Sequence, residues 1–166
     1  MLIEHLVPRP MRPFQWWSVH CYVMSPLVPN TRETEMAMKK TIVEPSWEAK
    51  YSYSPAVVTE GGKTVWLAGH VGFVDDAGAP LAGNFEAQTR QAFKNIEKTL
   101  QRAGGTLKDI VWMTVSVSDG RYSQRFTEIR KEIYGGEFPA STLLTAAAFA
   151  VPEIMVEITA IAVVAA

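Results

Sequence analysis

The stretch 85–117, FEAQTRQAFKNIEKTLQRAGGTLKDIVWMTVSV, holds the pattern that decides the fold. Its first half places apolar side chains three and four residues apart, as an amphipathic helix requires, and Asn84 stands where a helix cap is expected. Gly104 and Gly105 follow at the point where a left-handed cap would end the helix. The run 110–117 is then strongly β-prone. The stretch therefore predicts a helix followed by a strand.

Further elements extend outward from this centre in both directions. The period of apolar residues predicts a second helix over 122–134, closed by Gly135 and Gly136, and it predicts four more strands. These strands cover residues 54–60, 63–71, 141–147 and 154–163. Gly61 and Gly62 predict a tight hairpin between the first two strands, since paired glycines supply the positive φ of such turns.

The resulting order ββαβαββ contains a β-α-β centre, whose helix must cross over the sheet. We therefore expect an α+β sandwich in which two helices cover one face of a mixed sheet. The other face, with its rows of Val, Ile and Ala, would stay bare. A large exposed apolar face usually has a partner, so the pattern also predicts a homo-oligomer.

Composition narrows the function classes. The chain has 166 residues, which is enough for one hydrophobic core. Its net charge of −1 indicates no excess of basic residues with which to bind nucleic acid. The lone cysteine, Cys21, excludes an intrachain disulfide and a cysteine-built zinc site, which favours a reducing, cytoplasmic setting. No apolar run is long enough to span a membrane. The three histidines lack metal-site spacing, and there is no phosphate-binding glycine loop, so neither a metal nor a cofactor is expected.

The amino-terminal segment differs in amino-acid composition from the rest of the chain. Residues 1–38 hold five of the ten prolines and the pair Trp16-Trp17, and proline at this density blocks regular helix and central strand. Two interpretations remain open: an extended arm that packs on the surface or on a neighbouring subunit, or residues upstream of the natural start. The domain itself is expected to cover residues 39–166.

Glu157 is the most informative single residue. It lies in IMVEITAI (154–161), a nearly all-apolar strand, and a carboxylate there is costly unless it is paired or faces a cleft. Such a carboxylate suits proton transfer or ligand binding. The alternative is a charge that protects a strand edge, or an ion pair at an interface.

Three further side chains are candidates for ligand binding. His70 follows a glycine at the end of a strand, Tyr53 precedes the first strand, and Arg130 flanks the apolar face of the second helix. Their ordinary alternatives are a surface histidine, a packing tyrosine and a solvated arginine whose stem lies on the core.

The motifs from 53 to 162 resemble the Rid family, also called YjgF or L-PSP, of small enamine/imine deaminases. They occur in family order and spacing over about two thirds of the chain. The matching stretches are YSPAV (53–57), LAGHV (67–71), EAQTRQAFKNIEKTL (86–100), AGG (103–105), VWMTVSVSD (111–119), FPAST (138–142) and VEITAIA (156–162).

The resemblance implies a trimer with an inner β-barrel, three clefts at subunit interfaces and no cofactor. Active members hydrolyse an enamine or imine to a 2-oxo acid and ammonia. By residue-for-residue match, Glu157 would position the attacking water, Gly69 would offer its backbone to the ligand, and Tyr53 would line the cleft.

One departure from the family pattern concerns recognition of the substrate. The family places a carboxylate-binding arginine directly after Phe-Pro-Ala, where this chain has Ser141, and a serine cannot form a charged fork. Leu143 replaces a common cysteine, His70 a common glutamine and Arg130 a common aromatic residue. The resemblance therefore indicates a branch that binds short 2-imino acids poorly, with Ser141, Thr142 and His70 reshaping specificity. Whether Arg130 or another subunit supplies a replacement arginine stays open.

Two functions of different classes follow. The first is a Rid-like hydrolase acting on a different enamine, imine or related small metabolite. The second is a ligand-binding or regulatory trimer that has kept the cleft without the chemistry. A ribonuclease or translation inhibitor is disfavoured by the neutral charge and by the lack of basic and aromatic interleaving.

Overall fold

The computed structural model describes residues 37–166. Two helices and six strands form in this range, together with short 3-10 turns. The strands are β1 (Lys39–Ile42), β2 (Val57–Glu60), β3 (Lys63–Val71), β4 (Ile110–Val117), β5 (Ala140–Thr145) and β6 (Val156–Val164). The helices are α1 (Phe85–Arg102) and α2 (Ser123–Tyr134).

Four strands form the main sheet, in the order β3-β6-β4-β5. The pairs β3–β6 and β4–β6 are antiparallel, whereas β4 and β5 are parallel. Because parallel neighbours need a crossover, α2 connects β4 to β5 as the sequence predicts. The mixed sheet with two helices confirms the predicted α+β class.

The hairpin predicted between 54–60 and 63–71 is wrong in its pairing. Gly61 and Gly62 do adopt positive φ angles of 68° and 74°. However, β2 pairs with β1 in a separate two-stranded antiparallel sheet, while β3 pairs with β6. A Cβ on Gly62 would lie 2.6 Å from the Val164 carbonyl oxygen, so the turn passes directly against the end of β6. The chain thus changes sheets at the two glycines.

The helix ends confirm the local predictions. The Asn84 side chain accepts a hydrogen bond from the Ala87 N–H at 3.0 Å. At the other end of α1, the Gly105 N–H donates to the Leu100 carbonyl at 2.9 Å, with Gly104 at φ +82°. Gly135 closes α2 at φ +76°. These caps satisfy backbone groups that would otherwise lack partners.

The two faces of the four-stranded sheet differ sharply. The helix face, covered by α1 and α2, carries the buried core, including Met113, Val115, Ile158 and Ala160. We call the opposite side the open face. It carries Trp66 and Trp112, which are 77% and 37% exposed, with Leu144 and half-buried Ile161. Its large apolar groups are thus mainly tryptophan and leucine rather than the expected rows of Val, Ile and Ala.

Two predictions concern the ends of the chain and the membrane. The proposed arm over residues 1–38 lies almost wholly outside the described residues and stays a prediction. Within residues 37–166, no helix has the length and apolar character needed to cross a membrane.

Candidate functional site

Glu157 lies on the open face of the sheet. The Glu157 side chain is half-buried. The next residue, Ile158, lies on the helix face of the sheet and is buried in the core. The register partner of Glu157 in β3 is Val71, and the Glu157 side chain extends over Gly69 of the same strand. A Cβ built on Gly69 would lie 1.9 Å from the Glu157 Oε1 atom. The absence of a side chain at Gly69 therefore makes room for the carboxylate, and the two predicted site residues are brought together.

A β-bulge in β3 produces this contact. Leu67 pairs with Ala160 and His70 with Ile158, so two residues of β3, Ala68 and Gly69, lie opposite Thr159 alone. The extra residue shifts the alternation of side chains beyond it. Both residues of the bulge, Ala68 and Gly69, are exposed.

The same bulge turns His70 away from Glu157. Its ring lies on the helix face, where Nδ1 is 2.8 Å from the Ala68 carbonyl oxygen and Nε2 is 3.0 Å from the Thr99 hydroxyl of α1. Both ring nitrogens are therefore engaged within the protein. The structure therefore places the His70 side chain on the opposite side of the sheet from Glu157. Thr142 lies on the open face and is exposed, on the far strand from Glu157.

A second group of residues forms a cleft on the helix side, at the β5 edge of the sheet. The cleft has a volume of about 370 Å³, within the usual range for small-molecule sites. The segment before β2 builds one wall, because the Ser54 N–H donates to the Pro139 carbonyl at 3.1 Å and so runs alongside β5. The lining residues are Trp47, Tyr51, Tyr53, Ser123, Thr127, Arg130, Ser141 and Leu143.

Arg130 is the central charged group of this cleft. Its side chain is only 3% exposed, so the expectation of a solvated arginine is wrong. Nη1 donates to the Ser141 hydroxyl at 2.6 Å, and Nη2 donates to the Tyr51 carbonyl at 2.8 Å. The Phe126 ring lies 5.2 Å below the guanidinium. Sequence reasoning could not see this burial, since it depends on Ser141 lying opposite α2.

The electrostatics of Arg130 are unusual for a buried arginine. No carboxylate among residues 37–166 pairs with it, and the titratable groups that act on it are Tyr134 and Tyr53. Its Nε atom is buried without a hydrogen-bond partner among the described residues. Burial lowers the pKa of Arg130 to about 10, because the charged form is poorly solvated there.

Tyr53, Arg130 and Ser141, all candidates from the sequence, line this cleft, and sequence reasoning missed four further lining residues: Trp47, Tyr51, Ser123 and Thr127. Trp47 stands edge-on to both Tyr51 and Tyr53, at centroid distances of 6.1 and 6.0 Å. Thr127 comes from α2. The aromatic spacing in WEAKYSY (47–53) is the signal that could have revealed the first two.

The predicted site residues therefore form two groups on opposite sides of one sheet. Glu157 and Gly69 belong to the open face, whereas Tyr53, Arg130 and Ser141 belong to the cleft. Ser141 is paired with Met113 of the helix face, and Glu157 is paired with Ser116, on the opposite side of β4. Within residues 37–166, no cluster of three or more His, Cys, Asp or Glu side chains could hold a metal.

These features define a small α+β protein whose polar groups are divided between an open sheet face and a cleft beneath its second helix. The model of the family described as Endoribonuclease L-PSP matches residues 41–164, three quarters of the chain. The chain belongs to this family, and the resemblance to the Rid proteins is confirmed.

Individual relatives agree with this assignment. A RutC family protein of Pyrococcus horikoshii is 29% identical over 110 residues, covering 66% of this chain and 85% of the relative. The solved structure of YyfB, a Rid family protein of unknown function from Yersinia pestis, has a TM-score of 0.67 at 25% identity, covering 75% and 98% of the two chains. RidA of an Antarctic Psychrobacter has a TM-score of 0.57 at 30% identity, covering 76% and 100%.

Proposed function

We propose that this protein is a Rid-type hydrolase that deaminates an enamine or imine metabolite by addition of water, with Glu157 as the catalytic residue. One observation carries the proposal: the Glu157 carboxylate lies against the bare backbone of Gly69 and has no hydrogen-bond partner among residues 37–166. A carboxylate left free on an uncovered face is available to a water molecule and to a ligand.

The reaction starts from the iminium form, to which an enamine converts by taking a proton on carbon. Glu157 removes a proton from water while the oxygen bonds to the iminium carbon, and it returns that proton to the nitrogen. Glu157 then removes the proton of the new hydroxyl group as the C–N bond breaks with both electrons going to nitrogen. The products are a 2-oxo acid and ammonia, which leaves as ammonium when it takes up that proton. No electron acceptor or cofactor is required.

A second copy of the chain completes the site in this proposal. A ligand cannot touch Glu157 and the cleft of the same protomer, because the sheet separates them. The open face of one copy set against the cleft of another removes this obstacle, and it also covers Trp66 and Trp112. A homotrimer with the open faces inside a barrel, as expected for the family, fits both requirements. We place this trimer in the cytoplasm, in keeping with the lone cysteine.

The substrate is proposed to differ from a short 2-imino acid. Ser141 occupies the position at which the family pattern has an arginine, so the usual bidentate clamp is missing from β5. The same observation favours a second candidate, a ligand-binding or regulatory trimer that holds a metabolite without turning it over. A ribonuclease is not proposed, because the net charge of −1 offers no basic surface.

Decay of a freshly generated enamine, followed by absorbance, tests the hydrolase. The panel contains 2-aminoacrylate and a longer dicarboxylate enamine, with the wild type, Glu157→Gln and the control Glu153→Gln, which alters an exposed carboxylate four residues away. We expect the wild type and the control to accelerate decay of the longer enamine. Glu157→Gln should be slower by about a hundredfold or more, as for loss of a general base. No acceleration of either enamine by the wild type would favour the ligand-binding candidate.

A further inference from the structure

Arg130 poses an energetic problem that the fold alone does not solve. Arg130 is buried, with only 3% of the residue exposed, yet its two hydrogen bonds go to the neutral Ser141 hydroxyl and Tyr51 carbonyl groups. A buried charge without a counter-charge is costly, and proteins normally pair it. Nε still has a hydrogen to donate. An anion in the adjoining cleft would supply the missing partner.

Ser141 provides the point of contact. Its Oγ atom accepts the hydrogen bond from Arg130 Nη1, so its own hydroxyl hydrogen is free to donate to a ligand. The positive charge behind the hydroxyl strengthens this donation, as chains of hydrogen bonds polarise one another. The serine that replaces the strand arginine thus works together with an arginine on α2.

The remainder of the cleft indicates the body of the ligand. Trp47, Tyr51 and Tyr53 form a T-shaped aromatic cluster on one wall, and Leu143 adds an apolar surface. Such a wall favours a flat, unsaturated group. Thr127 and Ser123 supply further hydroxyl groups from α2.

We propose that this cleft binds the carboxylate of an aromatic or conjugated small acid through the Ser141 hydroxyl, with Arg130 as the buried counter-charge. The inference rests on the proposed function for the reaction but not for binding. Taken together, the proposed hydrolase and the proposed subsite assign the substrate as the enamine or imine of a 2-oxo acid with an aromatic or conjugated side chain. Arg130 is then a specificity-determining residue.

Binding of a stable acid and its neutral amide tests the subsite without any turnover. Isothermal titration of the full-length protein with 3-phenylpropionate and 3-phenylpropionamide measures the preference for the charge. The wild type should bind the acid at least tenfold more tightly than the amide. Arg130→Met and Ser141→Ala should each reduce that preference to less than threefold. The control Arg125→Met, on the same helix but paired with Glu86 and Glu128 at the surface, should keep it.

A purely structural role for Arg130 gives the opposite pattern. In that case Arg130→Met would lower the melting temperature and leave the acid-to-amide ratio unchanged, which overturns the proposal, as does a wild-type ratio near one. If Arg130→Met fails to fold, the acid-to-amide ratio of Ser141→Ala tests the subsite instead, because this variant removes one hydroxyl group and keeps the buried charge. An unchanged ratio in Ser141→Ala would overturn the proposal.

The matched acids separate the two proposals from each other. Butyrate, which lacks the ring, should bind at least fivefold more weakly than 3-phenylpropionate, and equal binding would overturn the aromatic assignment. Acid-selective binding without turnover of either enamine would support the carboxylate subsite and contradict the hydrolase. Turnover without acid-selective binding would support the hydrolase and contradict the subsite.

Discussion

Gly69 and Gly72 lie three residues apart, yet they meet two very different surroundings. A Cβ on Gly72 would lie 2.2 Å from the Gln88 carbonyl oxygen and 2.7 Å from the Ala92 nitrogen, both backbone atoms of α1. For a Cβ on Gly69, the three nearest atoms all belong to the Glu157 side chain, at 1.9 to 3.1 Å. On the helix side, glycine lets two backbones approach; on the open face, it leaves space for a functional group.

This difference indicates which parts of the molecule can move. The helix face is fixed by backbone packing, so a change there must displace a whole helix. The open face holds the end of a flexible side chain, so a change there redirects one carboxylate. Stability and activity should therefore respond to different substitutions in the same short segment.

Gly72→Ala should have the largest effect on stability. The methyl group forces α1 away from the sheet, and we expect the free energy of unfolding to fall by about 3 kcal/mol, at the upper end of overpacking. Urea unfolding followed by circular dichroism measures it. Gly136→Ala is the matched control, since its Cβ would meet nothing within 4 Å, and it should stay within about 0.5 kcal/mol of the wild type. A Gly72→Ala protein as stable as this control would contradict the close packing.

Gly69→Ala should affect activity rather than stability. The methyl group would displace the Glu157 carboxylate, and a misplacement of about 1 Å costs on the order of a hundredfold in rate. Enamine decay measures the activity, and the melting temperature of the same sample should match that of Gly136→Ala. Full activity would show that Glu157 does not act from its place beside Gly69.

Trp66→Lys tests the open face as a surface between copies. Trp66 is 77% exposed in the isolated chain, so the change should leave the folded protomer intact. In the proposed trimer it buries a charge, and the concentration at half-dissociation should rise by about tenfold or more. Light scattering at micromolar concentrations follows the mass, with Val58→Lys on the other sheet as control. A wild-type monomer, or a variant of unchanged mass, would reject this assembly.

Asp119→Asn should have the smallest effect, confined to acid. Hydrogen bonds from the Arg121 side chain and then from its N–H lower the Asp119 pKa from 3.8 to about 2. Because the folded-state pKa is depressed, the ionised carboxylate stabilises the fold above about pH 4, and this contribution is lost as the pH falls to 2. Urea midpoints at pH 7 and pH 2 check this. The variant should be slightly less stable than the wild type at pH 7 and equal to it at pH 2; a constant difference would exclude Asp119 as its source.

Local patterns predicted much of the fold. Both helices and β4 formed near the expected bounds, because their apolar periods and end caps act within a few residues. β1 was missed, since four residues, KKTI, carry too little periodicity. The predicted partner of β2 was wrong, because a glycine turn specifies only a bend in the chain. Which strands pair depends on contacts between residues that are distant in the sequence.

The site was predictable only in part, for similar reasons. The family resemblance named both Glu157 and Gly69 as site residues, but their contact on the uncovered face follows from the pairing of β3 with β6, which the sequence does not give. The position of His70 could not be derived, because a bulge leaves no mark in apolar periodicity. Arg130 could be placed on the flank of α2, but its burial depends on the chain returning at Ser141 and Tyr51.

The bulge in β3 also matters for how such a protein could change over generations. Regular pairing of the same residues would bring His70 opposite Glu157, and the imidazole and the carboxylate would share the uncovered side. The bulge takes up one residue, so that His70 lies opposite Ile158 instead. Deleting the single codon for Ala68 would therefore remove the bulge and leave Gly69 opposite Thr159 and His70 opposite Ile158. This point of β3 can lose one residue during evolution without exchanging the two faces of the rest of the strand.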